Sequence, residues 1–403
     1  MNQVKSRTRH SKATGNQAEK LARTRHAVLA LVRKYPGVSR QDCARRLELS
    51  AFTLSHVVAD LIEERCLEET ATPSASSRPA TGRPGTPLAV CADRASFAGI
   101  DMEASTWRFV VVDFAGQERF QMVRPLPTRR TARHHAADLA KLFEVARTAC
   151  GAEWDKVQAV GVAAPGLLDM ERGIVEAYHP LPAFTQIAIR DIYRELSGRP
   201  TFLLHNVVSL AAHDLWRRQG SEDEATFHAI VRSGIAGVLS DWRRVFPGSH
   251  GLAGELGHWR VHLGQKRSSR LQDVASLQAL RETLHDLEPA FWQGTPDAVA
   301  RAIKGSSGPR LKRAMTALGH ALAGVGALID PDRIVVHSPL LSHDNGLWPV
   351  LHDSFFEDIS PTLARRVRLD RSEAPETAAA CGAALFAIQN LYPSSPDPLS
   401  VPW

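Results

Sequence analysis

From residue 97 onward the chain is built of apolar, β-branched runs that end in Gly/Asp turns, and few folds accommodate that pattern. FAGIDMEAST (97–106), WRFVVVDFAG (107–116) and VQAVGVAAPGLLD (157–169) read as strands, with AADLAKLFEVARTAC (136–150) as an intervening helix. A second strand-rich stretch opens near TFLLHNVVSLAA (201–212) and continues through FHAIVRSGIAGVLSD (227–241). Strands and helices alternating twice over predict an α/β fold in two similar halves. At 403 residues the chain is too long for one ordinary core. No apolar run approaches the ~20 residues that span a bilayer. The basic start, MNQVKSRTRHSK, has no apolar segment behind it and is expected not to be a secretory signal. Five scattered cysteines (Cys43, Cys66, Cys91, Cys150, Cys381) argue for reduced thiols and a cytoplasmic location.

Ahead of this region the texture is helical and basic. Residues 1–90 hold 15 Lys/Arg against 8 Asp/Glu, whereas the remainder is nearly balanced at 34 against 35. Such a split fits a nucleic-acid-binding module fused to a neutral one, or a solvated basic tail. Residues 18–34 place Leu21, Val28, Leu31 and Val32 at helical spacing before Tyr35-Pro36-Gly37 breaks the run. Ser39 is placed to cap a second helix, RQDCARRL, with Asp42 as a weak capping box and the small Ala44 at the helix crossing. Ser50 is placed to cap a third, AFTLSHVVADLIEE, whose Leu54, Val57, Val58, Leu61 and Ile62 form one stripe. Phe52, Thr53 and His56 point the opposite way. A plain three-helix bundle has similar periodicity, but the segment after the third helix has the make-up of a wing: RCLEE, a Pro/Ser/Thr/Gly loop with Arg78 and Gly82-Arg83-Pro84-Gly85, then LAV. A narrow Gly-Arg-Pro tip suits an A·T-rich minor groove, although the same loop would also serve as a flexible linker. Residues 18–90 are therefore read as a winged helix-turn-helix. Its expected DNA-binding residues are Ser39, Arg40, Ser50, Phe52, Thr53, Ser55, His56, Arg78 and Arg83.

The order GIDMEAST, GVAAPGLLDMERGIV, LLHNVVSLAA, RSGIAGVLSD, GLAGELGH, LIDPDRIVVHSPLL and CGAALFA resembles the ROK family of repressors, open reading frames and kinases. The resemblance covers nearly the whole chain, because the family's repressor branch also carries an N-terminal winged helix-turn-helix. It implies an actin-like fold of two RNase H-like lobes: lobe one over about 96–204 with the C-terminal helix, lobe two over about 205–377, together a domain of residues 91–392. Residues 1–17 are expected to be a flexible basic tail and 393–403 a disordered one.

Departures from the family pattern bear on chemistry. The family's first phosphate loop reads D-x-G-G-T; here Asp101-Met102-Glu103-Ala104-Ser105-Thr106 lacks both glycines and brings a carboxylate toward a polyanion. The second, Ser233-Gly234-Ile235-Ala236-Gly237-Val238, keeps only part of its glycines. Val207 follows Asn206 where family kinases have the aspartate base, whose chemistry is typically worth about 10²–10⁴-fold. The family's zinc-binding cysteines fall at Leu263, Gln265 and Arg270, leaving His258 without thiolate partners. Neither zinc, ATP nor catalytic residues are expected. What the resemblance leaves is a sugar-type pocket of Pro165, Gly166, Asn206, Glu255, His258 and Gln272, unless Glu255 and His258 only support their own loop.

The expectation is a transcriptional repressor that binds a double-stranded DNA operator and assembles as a homodimer or tetramer. Its degenerate kinase-like domain would sense a sugar, a sugar phosphate or a related small molecule. Two alternatives remain open: an active carbohydrate kinase with an accessory head, and a regulator whose lobes only dimerise.

Overall fold

The computed structural model describes residues 21–392 apart from 71–85, 128–130, 219–223, 242–244, 247, 250–251, 263–267, 286, 293–295 and 342–344. Residues 21–34 form helix α1. Ser39 ends strand β1 (Val38–Ser39) and accepts from the Asp42 N–H at 3.1 Å, capping α2 (Arg40–Arg46). The Asp42 carboxylate returns to the Ser39 hydroxyl at 2.7 Å, a variant of the expected capping box. Ser50 accepts from the Thr53 N–H at 3.1 Å and caps α3 (Ala51–Glu63). Strands β2 (Leu67–Glu69) and β3 (Pro87–Val90) then pair antiparallel, and β1 adds on the far side of β3. That third strand is too short to show as a pattern in sequence.

The α3 stripe is buried at Leu54, Val57, Val58 and Leu61 and half-buried at Ile62. Two details differ from expectation. Leu21 is exposed, because the first turn of α1 runs beyond the packed face, which begins near Val28. Where α2 meets α3 the fully buried residue is Cys43, not Ala44, and burial pushes its thiol up to about 12.

Lobe one contains β4 (Ser96–Met102), β5 (Thr106–Asp113), β6 (Glu118–Pro125), α4 (Ala132–Cys150) and β7 (Val157–Ala164). A small hairpin, β8 (Leu167–Asp169) and β9 (Ile174–Ala177), precedes α5 (Ile189–Ser197) and β10 (Thr201–His205). Helix α6 (Asn206–Arg217) leads into lobe two: β11 (Thr226–Val231), β12 (Ile235–Ser240) and β13 (Val245–Phe246). Next come β14 (Arg260–Val261), β15 (Ser269–Arg270), α7 (Gln272–Ala275), α8 (Leu277–Thr283), α9 (Gly308–Ile329), β16 (Arg333–His337), α10 (Leu347–Asp358) and β17 (Arg368–Arg371). Helix α11 (Ala378–Leu391) returns to lobe one.

The sheet orders are β10-β7-β4-β5-β6 and β13-β12-β11-β16-β17. Counted from its own first strand, the lobe-one sheet runs fifth, fourth, first, second, third, and the lobe-two sheet is the same order read from its other edge. In each, the first three strands form an antiparallel meander and the last two add in parallel. The two halves expected from sequence are thus one topology used twice. One stretch differs from its sequence reading: NVVSLAA is helix α6, not strand. Val207, Leu210 and Ala211 are buried at helical spacing, a period hidden because the apolar run of β10 continues directly into the helix.

Helix α11 lies close on the lobe-one sheet because Gly99 and Gly161 sit side by side in β4 and β7. A Cβ on Gly161 would lie 1.8 Å from the Ala383 carbonyl oxygen, and one on Gly99 1.9 Å from that of Ala380. Gly161→Val is therefore expected to cost at least the ~1–3 kcal/mol of ordinary overpacking, read as a lowered urea midpoint. An unchanged midpoint would mean that α11 can back away freely.

The helical head shares its core with lobe one. A single apolar cluster runs from Val28, Leu54 and Leu88 to Phe97, Phe114 and Leu385. Within it the buried Arg33 donates from Nε to the Phe114 carbonyl at 3.0 Å, and its guanidinium lies 4.0 Å over the Phe114 ring. Burial lowers the Arg33 guanidinium to about 10. Among the described residues no helix is long and apolar enough to cross a membrane.

Candidate functional site

Two cavities lie between the lobes, and they share Glu103, Arg232 and Ser233 as a common wall. The first, of about 520 Å³, is lined by all six residues expected from sequence: Pro165, Gly166, Asn206, Glu255, His258 and Gln272. Pro165 and Gly166 connect β7 to β8, Asn206 opens α6, and Gln272 opens α7. Glu255 is delivered by close backbone docking. Gly254 has φ +86°, its carbonyl accepts from the Gly237 N–H at 2.6 Å, and a Cβ there would lie 1.8 Å from the Gly237 oxygen. Only glycine lets this loop lie flat on β12.

Glu255 and His258 stand at the cavity rim, with side chains 49% and 59% exposed and Glu255 Oε2 3.9 Å from His258 Nε2. Amide and carboxylate groups here present donors and acceptors suited to hydroxyl groups. Val207, buried in the same wall, has no group that accepts a proton. Sequence reasoning missed His205, which also lines the cavity; burial pushes it down to about 4, so it is neutral near pH 7. Its position directly before Asn206 was the available signal.

The second cavity, of about 620 Å³, lies on the side of Asp101–Thr106. There Arg108 Nη1 donates to Asp101 Oδ2 at 3.0 Å and to Glu103 Oε1 at 3.3 Å. Arg232 reaches across from lobe two to Glu103 and lies 3.4 Å from Asp101 Oδ2. Arg108 also contacts Glu376 at 3.2 Å. Burial raises Asp101 to about 6 against the pull of both arginines. Glu103 is buried too, but Arg232 and Arg108 hold it below the usual carboxylate range. Glu103 was legible as a lost glycine; Arg108 and Arg232, from distant segments, were not.

Leu263, Gln265 and Arg270 are the positions that the resemblance matches to the family's zinc-binding cysteines. Leu263 and Gln265 lie outside the described residues, and Arg270 pairs through Nε with Asp273 at 2.8 Å. Among the described residues no group of three or more His, Cys, Asp or Glu could hold a metal ion.

On the helical head, Phe52 is 75% exposed and its ring centroid lies 4.7 Å from that of His56. Thr53, Ser55 and His56 share that exposed face. Ser39 and Ser50 are occupied as caps, and Ser50 Oγ also lies 2.8 Å from Thr53 Oγ1. Arg40 is engaged with Glu69 at 2.7 Å. Arg78 and Arg83, with the rest of the wing tip, lie outside the described residues.

Duplicated five-stranded sheets facing each other across a cavity-bearing cleft, with one C-terminal helix returning to the first, define an actin-like two-lobed protein. The chain belongs to the ROK family, whose profile matches residues 97–390. It is 22% identical over 391 residues to the DNA-binding transcriptional repressor Mlc of Escherichia coli (strain K12), covering 89% of this chain and 91% of that one. It is 22% identical over 319 residues to the xylose repressor of Caldicellulosiruptor bescii, covering 74% and 78%. Among solved structures, a ROK family transcriptional regulator described as a homolog of the E. coli MLC protein superposes with a TM-score of 0.73. That pair shares 20% identity over 93% of this chain and 97% of the other.

Proposed function

We propose that this protein is a DNA-binding transcriptional regulator, a repressor, whose two-lobed domain senses a carbohydrate or related small molecule and mediates self-association. The observation that carries the reading is the exposed, uncharged front of α3, with Phe52, Thr53, Ser55 and His56 on a head that shares its core with lobe one. Such a front suits base edges in a major groove, where an aromatic ring meets thymine methyls and hydroxyls and imidazole meet hydrogen-bonding groups. The excess of Lys and Arg in residues 1–90 supports phosphate contact. Similarity along nearly its whole length to a DNA-binding repressor, and to a second repressor named for a sugar, supports both halves of the reading.

The effector would sit among Pro165, Gly166, Asn206, Glu255, His258 and Gln272. Catalysis is not part of the proposal, since Val207 offers no base beside Asn206 and the Asp101–Thr106 turn carries its own carboxylates. Neither zinc nor ATP is proposed as a cofactor.

Gel shifts with the protein's own upstream DNA test the central reading. Binding is expected to weaken steeply with salt, and a Phe52→Ala, His56→Ala double variant is expected to lose about 10–100-fold in affinity. Absence of any retarded fragment at low salt would overturn it. A sugar library screened by thermal shift tests the sensor half. A ligand at 100 times its Kd adds about 2.7 kcal/mol of stability, and Glu255→Ala is expected to abolish that gain.

A further inference from the structure

We infer that the buried cluster of Asp101, Glu103, Arg108 and Arg232 is an interlobe latch, which holds the two lobes together at the place where a phosphate-binding turn would otherwise receive a polyanion. Asp101 and Glu103 belong to the end of β4 and the turn after it, Arg108 to β5, and Arg232 to the residue following β11 in the other lobe. All but the partly buried Arg232 are buried, and Arg232 Nη1 is shared between Glu103 and Asp101. Beside it, Tyr178 of lobe one and Ser233 of lobe two line the same cavity, and Arg281 Nη1 lies 3.4 Å from Ser105 Oγ across the cleft.

The electrostatics give the cluster two consequences. Because Asp101 and Glu103 occupy Arg108 and Arg232, the cations a polyphosphate would need here are already taken, and Arg232 links the lobes from within the chain. Opening the lobes would part Arg232 from Asp101 and Glu103 and leave them with Arg108 alone, so this contact exists only while the lobes are together. Because Glu103, Arg232 and Ser233 also wall the cavity containing Glu255, whatever fills that cavity presses on the latch itself. The inference rests on the proposed function only for the use made of closure.

A double-mutant cycle of Glu103→Gln, Arg232→Met and the pair tests it, read by hydrogen exchange of the amides in 102–106 and 232–237. No DNA or effector is present, so its failure and the failure of the regulator reading are separate results. Each single variant is expected to speed exchange in both segments, including the one it does not touch. The double variant, left without the orphaned charge, is expected to fall about tenfold short of the product of the singles. Multiplicative effects, or acceleration confined to the substituted segment, would overturn the latch. Should a single variant fail to fold, millimolar inorganic tripolyphosphate added to the wild-type protein decides. Unchanged exchange is expected, and slowed exchange in both segments would show that the site still takes a polyanion.

Discussion

Replacing Arg108 by methionine is expected to lower stability by about 3–5 kcal/mol, the usual cost of removing one partner from a buried ion pair. Asp101 and Glu103 would keep only the shared Arg232, and Asp101 Oδ1 already lacks a hydrogen-bond partner among the described residues. The loss is larger than the transfer of a guanidinium to water suggests, because the carboxylates stay behind in a low-dielectric site. Thermal unfolding should show a midpoint lowered by roughly 4–6 °C. Arg108→Met, Arg232→Met, Asp101→Asn, Glu103→Gln, which removes the four charges together, should recover most of the loss. A single variant as stable as the wild type would mean that water reaches the cluster.

Acidification from pH 7 to pH 5 is expected to destabilise the protein by about 4 kcal/mol, through His205, pushed down to about 4 by burial, and the buried histidines of lobe two. His213 and His228 are both pushed down to about 4 by burial, and His337, whose Nε2 lies 3.3 Å from His228 Nδ1, is lowered as well. Asp214, Arg218 and Arg333 face the group, and the arginines add to the lowering at His228. A base held below its ordinary value contributes stability that is present above about 6.5 and lost as pH falls toward 4. Together His205, His213 and His228 then cost about 5 kcal/mol over this interval. Asp101 works the other way: raised to about 6, it favours the folded state at low pH and returns about 1 kcal/mol. The histidines prevail by number. His228→Asn should flatten the pH dependence of the melting midpoint, and an unchanged slope would remove His228 from the account.

The parts of this protein differ in how far they could be read from residues in order. The caps Ser39 and Ser50, the stripe of α3 and the strands β4, β5, β7, β11 and β12 were legible because each depends on neighbours a few residues away. The stretch 201–212 was not, since one apolar run serves a strand and then a helix, and only burial on two different surfaces separates them. Leu21 was misplaced for a similar reason: a period marks the face of a helix but not where its packing partner stops.

Of the candidate site, the six cavity residues could be named because the segments that hold them resemble those of the ROK family; their own spacing does not bring them together. Sequence by itself therefore determined the two-part organisation, the repeated α/β layout and the identity of Pro165, Gly166, Asn206, Glu255, His258 and Gln272. Tertiary structure alone decided that the head is fused to lobe one through Arg33 and Phe114, and that Glu103 meets Arg232. Those pairs are 81 and 129 residues apart in the chain. Nothing in local propensity or spacing couples them; only the folding of two separate sheets toward one cleft brings these opposite charges together.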